Sequence, residues 1–339
     1  MRTIIQVMKN TQNKQIHIGF WALLLVITVA ACKKETKYDI TGDKVNRVYI
    51  SGSNTTVNGY NSFKFSIVNT VIGAFGTVNV ALPVRATMPV AGALKVSFAV
   101  DNSMVDTYNA ANNTAYKALP DGILNLSAAS ANIPQGQQIS SDSLKIAIPT
   151  DKLSQLTENT YLLPVKIAAI AGGAGTQIST NQSVVYLIVS VRVSTSQLFE
   201  SPGESDMTGS IIANRAKWTG TIDQPLLLGS PADLFDGDEG TFFYYSSANS
   251  NLTVDLGETV SGISGIRIKN YFGVYGLTTA KVLSSTDGIT YTDYGTANIA
   301  GGGSQYIKPY KPFNARYIQL QITGWQNNLI ALTEFDLYK

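Results

Sequence analysis

The stretch Asp233–Ser246, DLFDGDEGTFFYYS, packs four acids, two glycines and four consecutive aromatics into fourteen residues. Its carboxylates can serve as cation ligands or as the polar surface of a solvated turn. A ligated carboxylate cannot also shuttle protons freely, which argues against a catalytic role. In an extended chain Phe243 and Tyr245 face one side and Phe242 and Tyr244 the other, so one pair is predicted to enter a core.

Outward from this stretch the chain has the composition of a β protein. Of its 339 residues 44% are hydrophobic and only 14% charged, which excludes a disordered chain and leaves material for two cores. Glycine is frequent, and valine, isoleucine, threonine and tyrosine recur, a mix that favours strands and turns.

At the N-terminus Arg2, Lys9 and Lys14 precede the apolar run IHIGFWALLLVITVAAC, Ile16 to Cys32. That length suits a signal-peptide core and is short for a membrane span. VAAC, with small residues at Ala30 and Ala31 before the only cysteine, resembles the bacterial lipobox. The resemblance implies that residues 1–31 are removed and that Cys32 carries a lipid, outside the cytoplasmic membrane. Residues 32–44 then read as a charged, turn-rich tether.

Processing would change the charge balance. Taking the three basic residues of 1–31 from the total of 25 leaves 22 Lys+Arg against 23 Asp+Glu. No basic patch argues for nucleic acid. The only histidine, His17, lies in the segment removed. A Ser-His-Asp triad, a Cys-His pair, an HExxH site and a conventional zinc site are therefore all excluded from the mature chain. A glycosidase needs only two carboxylates and survives. The glycine-rich AIAGGAG and IAGGGSQ lie between strand-like runs and read as flexible turns.

From Val45 to Val193 short β-rich runs recur at sandwich spacing, among them SFKFSIV, ALKVSFAV, YLLPVKIAA and SVVYLIVSV. Two stretches read as helical: DNSMVDTYNAANNT, capped at Asp101 or Asn102, and TDKLSQLTEN, capped at Thr150. VSFAVDNSMVDTYNAANNTAYKALP, IPQGQQISSDSLKIAIP and YLLPVKIAAIAG together resemble a Bacteroidetes domain of unknown function, number 1735. The resemblance implies an immunoglobulin-like module over 45–193, near the N-terminus of surface lipoproteins, that acts as a spacer. Tyr108, Asn109, Leu119 and Pro120 are read as maintaining that fold. Residues 194–206, STSQLFESPGESD, read as a polar linker.

The second half, 207–339, carries the series DLFDGDEGTFF, LTVDLGE, ISGIRI, SSTDGITY, ARYIQLQITG and LTEFDLY. In this order it resembles the coagulation-factor 5/8 type C, or discoidin, family, which includes family 32 carbohydrate-binding modules. The resemblance implies an eight-stranded jelly-roll sandwich, giving an all-β chain of two sandwiches. It also implies a structural calcium at the acidic turn. Asp236 would supply a carboxylate and Thr241 a hydroxyl or carbonyl, Asp233 and Asp238 main-chain oxygens, and Glu334 a distant second carboxylate. Hard oxygen ligands around a tight glycine turn suit calcium. Arg316, Tyr317, Asp255 and Gly257 are read as structural.

Ligand candidates lie in loops. KNYFGVYG offers Asn270, Tyr271, Phe272 and Tyr275, GWQNN offers Trp325, Asn327 and Asn328, and AKWTG offers Trp218. Aromatic rings stack on sugar CH faces while amides bond to hydroxyls. The same rings can equally be packing at the sandwich ends. From these candidates we expect Tyr271, Tyr275 and Trp325 to line a shallow sugar site, with Asn270 and Asn327 bonding to hydroxyls. The sequence thus points to a lipid-anchored, non-enzymatic glycan-binding protein on the outer-membrane surface. The alternatives are an adhesin or scaffold that grips protein or host matrix and, third, a glycosidase.

Overall fold

The computed structural model describes residues 45–50, 52, 55–57 and 60–339. The expected signal segment, Cys32 and the tether to residue 44 lie outside them. The described chain is all-β, as the composition predicts, and forms two sandwiches.

In the first sandwich one sheet runs in the order Thr176–Ile178, Asn46–Ile50, Val78–Ala86, Ile139–Ile148, Asn125–Ala128. The facing sheet runs Thr55–Val57, Tyr60–Thr70, Val184–Ser194, Thr160–Gly172, Leu94–Val100, Ser130–Ile133, with Val184–Ser194 parallel to Tyr60–Thr70. The run VVYLIV within Val184–Ser194 lacks polar alternation because both of its faces are covered. Val185, Leu187 and Val189 enter the inter-sheet core, while Tyr186 and Ile188 meet Val105 and Tyr108 of the helix Met104–Asn112. Burying each such side chain contributes about 1.5–3 kcal/mol.

The helix starts later than the sequence suggests. Ser103 is the N-cap, and Asp101 Oδ1 accepts hydrogen bonds from the Ser103 backbone N–H at 3.2 Å and its hydroxyl at 2.5 Å. Beyond the helix, Asn109 clamps the exit loop. Its Nδ2 donates to Tyr116 O at 2.9 Å and its Oδ1 accepts from Tyr116 N at 3.0 Å. The second expected helix is only a 3-10 segment, Thr150–Gln155, with Pro149 in place of Thr150 as its N-cap.

Residues 195–206 are not a free linker. Leu198 is buried in the second core, Gln197 N donates to Tyr294 O at 2.8 Å, and Phe199 N donates to Lys308 O at 2.8 Å. An apolar Leu-Phe pair inside a polar stretch is the reason: Leu198 enters the second core, and Phe199 lies against the Tyr310 ring with centroids 4.3 Å apart.

The second sandwich holds nine strands among the described residues, against the eight implied. Five form one sheet, in the order Thr219–Ile222, Ser250–Ile263, Phe313–Trp325, Leu277–Ser285, Thr292–Asn298. Four form the other, Phe243–Ser246, Leu329–Tyr338, Gly265–Asn270, Ser304–Ile307. Phe243 and Tyr245 are fully buried between the sheets, whereas Phe242 and Tyr244 face outward and half-buried. Trp218, offered above as a ligand candidate, is instead a core residue, edge-on to Phe235 with ring centroids 5.9 Å apart. Arg316 grips both oxygens of Asp255 at 3.0 and 3.1 Å. At Gly257 (φ 75°) a Cβ would come within 2.8 Å of Lys217 Cβ, so a glycine is required there.

Candidate functional site

The acidic turn is folded by its own side chains. Asp233 caps the 3-10 segment Pro231–Leu234, its Oδ2 accepting from Ser230 N at 3.0 Å. Asp236 accepts from Asp238 N through Oδ1 (2.9 Å) and from the Thr241 hydroxyl through Oδ2 (2.7 Å). The Asp238 carbonyl accepts from both the amide and the hydroxyl of Thr241, at 3.1 and 2.8 Å. Gly237, at φ 82°, supplies the left-handed corner. Asp236 and Asp238 are exposed.

Glu334 arrives from the last strand and is 3% exposed. Its Oε2 accepts from Arg215 Nη1 at 2.5 Å, and its Oε1 is buried with no hydrogen-bond partner. The same Arg215 nitrogen donates to Asp336 Oδ1 at 2.8 Å, and Arg267 Nε donates to Asp336 Oδ2 at 2.9 Å. Burial pushes the Glu334 carboxyl above its ordinary range. The Arg215 hydrogen bond opposes that rise, and the charges of Asp336 and Asp236 add to it. A buried carboxylate oxygen without a donor, close enough to Asp236 to feel its charge, fits a hard cation. Asp236 and Glu334 are the carboxylates such a cation would use, with Thr241 and Asp238 supplying neutral oxygens. Asp233 spends its carboxylate on capping, so the main-chain oxygen that the resemblance assigns to it is what it would offer a cation. Among the described residues no three His, Cys, Asp or Glu side chains group closely enough to hold a metal by themselves. Arg215 directly precedes the AKWTG stretch, and no spacing in the sequence ties it to Glu334, 119 positions on.

At one end of the second sandwich three loops are tied together. The 270–276 loop meets the 325–328 loop where Asn327 Nδ2 donates to Val274 O at 2.6 Å and Gly276 N donates to Gln326 Oε1 at 3.1 Å. It meets the glycine run 301–303 where Asn270 N donates to Gly303 O at 3.0 Å and Asn270 Nδ2 to Gly302 O at 2.6 Å. Buried Gln305 pins the start of Leu277–Ser285, bonding both N and O of Leu277, at 2.8 and 2.6 Å. Gly276 is held to glycine by space, since a Cβ there would lie 2.6 Å from Asn270 Nδ2. The IAGGGSQ run is thus a docking surface for a neighbouring loop and not merely a flexible turn.

The predicted ligand residues divide on inspection. Asn270 is buried and Asn327 is exposed, and each amide nitrogen gives one N–H to tying loops, which leaves each residue its second N–H, while the buried Oδ1 of Asn270 has no hydrogen-bond partner. Trp325 is half-buried and packs on the core, and the Tyr275 carbonyl accepts from Ala331 N at 3.0 Å. Tyr271 lies in a column of rings. Tyr244, Phe242, Tyr271 and Phe272 follow one another with centroid steps of 5.9, 4.1 and 4.0 Å. Phe242 and Tyr271 have rings on two sides. Phe272, at the end of the column, is 77% exposed and holds the left-handed conformation φ 56°, ψ 7°. A bulky residue in that region is uncommon and strained. The only sequence signal for Phe272 was an aromatic directly before a loop glycine.

Two sheets, an acidic glycine turn and a buried glutamate in the last strand now stand together. Residues 223–335 match the family model of the F5/8 type C domain. A second model, described as a "-like, N-terminal domain", matches residues 40–173. No curated protein matches the chain. Among solved structures, a two-domain protein of unknown function from Bacteroides fragilis is 15% identical, with 87% of this chain and 95% of that one covered and a TM-score of 0.42. The family 32 carbohydrate-binding module of NanJ from C. perfringens, solved with galactose, is 17% identical over 37% of this chain and 96% of that one, at a TM-score of 0.33. A family 32 module from Clostridium perfringens, in complex with GalNAc-beta-1,3-galactose, is 16% identical over 38% and 100%, at a TM-score of 0.35.

Proposed function

We propose that the F5/8 type C domain is a carbohydrate-binding module and that Phe272 is its principal contact. Besides the family match, one observation carries this reading: an open aromatic ring stands, tilted by 45°, at the end of a row of stacked rings, on a loop fastened to two others. The free face of Phe272 would take the CH face of a pyranose. Tyr271, itself stacked on Phe242, meets the Phe272 ring and limits its motion, so little rotamer entropy is lost on binding. In this reading Tyr271 supports the contact ring and Trp325 braces the neighbouring loop. The domain binds and performs no reaction.

Calcium belongs to the same proposal as a structural ion, held by Asp236 and Glu334 with Thr241 and the main chain of Asp238. It would supply positive charge to the buried, unpartnered oxygen of Glu334. The lipid on Cys32 and the position at the outer-membrane surface rest on the VAAC sequence after its apolar run. The first sandwich would then be a spacer. A single shallow site is weak, and display of many copies at a surface supplies avidity.

A glycan array probed with the protein from residue 33 onward tests the reading. Binding to a defined set of glycans, lost in Phe272→Ala at an unchanged fold, is expected. Binding to no glycan, with retention on host-matrix proteins, would favour the adhesin alternative.

A further inference from the structure

The acidic turn and the two buried acids beside it carry a charge arrangement that the calcium reading does not by itself explain. Glu334 and Asp336 stand on the outer face of the strand Leu329–Tyr338 and are each 3% exposed. Their cross-strand partners are Lys269 and Arg267. Arg267 pairs with Asp336 as its position dictates, at 2.9 Å. Lys269 turns away from Glu334 and binds Glu239 of the acidic turn. Glu334 is left to Arg215, which arrives from the loop before Trp218 and bridges Glu334 and Asp336 at 2.5 and 2.8 Å. The guanidinium also reaches under the turn, with Nη2 3.5 Å from where a Cβ on Gly237 would stand.

Arg215 and Arg267 therefore balance Glu334 and Asp336 charge for charge. One carboxylate oxygen, Glu334 Oε1, stays buried without a hydrogen-bond partner, and the Glu334 carboxyl lies within reach of the charge of Asp236. We propose that Arg215 is a built-in counter-ion of the calcium site: it occupies one oxygen of Glu334, leaves the other for the cation, and holds calcium affinity low enough that the domain folds without the ion. The inference rests on the calcium reading above and concerns its regulation. Two cations sharing one carboxylate repel each other, and in a partly dry site that repulsion is screened less than in water. Without Arg215, Glu334 would be a buried charge with no partner, which is strongly destabilising until another cation takes the place.

Thermal melting of the full chain in chelator and across a calcium chloride titration tests this, with wild type beside Arg215→Gln. Wild type is expected to fold in chelator and to gain modestly from millimolar calcium. Arg215→Gln is expected to melt roughly 10 °C lower in chelator and to recover most of that loss with calcium. Its calcium midpoint should be at least about tenfold lower than that of wild type. Arg215→Lys keeps the charge but cannot bridge both acids, and should lie between the two. It also keeps the test decisive if Arg215→Gln does not fold. Should wild type respond to calcium while both variants show its midpoint or a weaker one, Arg215 is only a brace and the counter-ion idea falls alone. If none of the three proteins responds to calcium, the calcium reading falls and takes this inference with it.

Discussion

Phe272 shows how one residue can carry opposite demands from stability and function. A phenylalanine in the left-handed region costs about 1–2 kcal/mol, a cost that glycine escapes. Its contact with Tyr271 returns about 0.5–1.5 kcal/mol. Phe272→Gly should therefore melt within about 3 °C of wild type, while Phe272→Ala, which loses the contact and keeps the strain, should melt lower. Both should weaken binding by about 1–3 kcal/mol if the ring is the sugar platform. Calorimetry paired with titration of an array-identified glycan reads both quantities, and full affinity in Phe272→Gly would remove the ring from the site. Tyr245 offers a second residue-scale test. Burial raises its hydroxyl pKa from 10.0 to about 12, against a lowering hydrogen bond from Ser250 and with a smaller upward push from Asp223. The folded pKa exceeds the unfolded one, so stability is intact below pH 10 and is lost as pH rises toward 12. The unfolded tyrosine ionises first and draws the equilibrium toward itself. Two pKa units correspond to about 2–3 kcal/mol. Tyr245→Phe gives up the 2.8 Å bond with Ser250 and about 1 kcal/mol at neutral pH, but its denaturation midpoint should fall less steeply above pH 10. Parallel urea curves for the two proteins across that range would show the tyrosine is not responsible.

At the scale of elements, what was legible followed from periodicity, and what was not depended on contacts far along the chain. Alternation in FFYY separates buried Phe243 and Tyr245 from outward Phe242 and Tyr244, and the structure keeps that separation. Local pattern also found the helix within DNSMVDTYNAANNT, with its cap set one or two residues early, and the helix packs on the run VVYLIV. The same local view misjudged segments whose partners lie in other elements, well outside the stretch itself. The stretch 195–201 is polar by composition, yet its bonds go to Tyr294, Asn298 and Lys308. Gly301–Gly303 look flexible until Asn270 is set against them, and Trp218 looks like a loop aromatic until Phe235 is beside it. Arg215 finds Glu334 across 119 positions, a pairing that no spacing rule announces. Leu198 turns this into a prediction. Since it is 2% exposed in the second core, Leu198→Ala should cost about 2–4 kcal/mol and act on the second sandwich. A fragment beginning at residue 207 should be correspondingly less stable than one beginning at 195. Equal denaturation midpoints for the two fragments would restore the junction to a plain linker.

At the scale of the whole molecule, the first sandwich can present the second only if the joint between them resists bending. Residues from Arg47 to Lys339 group as one unit, and a small set of contacts joins their two sandwiches. The Tyr310 ring lies between Phe75, on the short strand Gly73–Phe75, and Phe199 of the junction, with centroids 4.6 and 4.3 Å away. Lys311 Nζ donates to Ile72 O at 3.0 Å, and Arg192 pairs with Glu200 at 3.3 Å. The ion pair is exposed and worth little by itself, whereas a three-ring stack removes substantial apolar area from water. Tyr310 is therefore the residue that decides whether the joint is stiff. Tyr310→Ala should leave each sandwich folded, because neither core contains it, yet let them move independently. Small-angle scattering should then show a larger and broader distribution of distances than in wild type. Limited chymotrypsin digestion should cut faster at Phe199, whose ring loses its cover. If many copies bind glycan from a surface as proposed, their binding faces must stay turned outward, so the variant displayed on vesicles should also lose avidity for a multivalent glycan while keeping its one-site affinity. Identical scattering curves for the two proteins would mean that the main-chain bonds of Gln197 and Phe199 alone hold the joint.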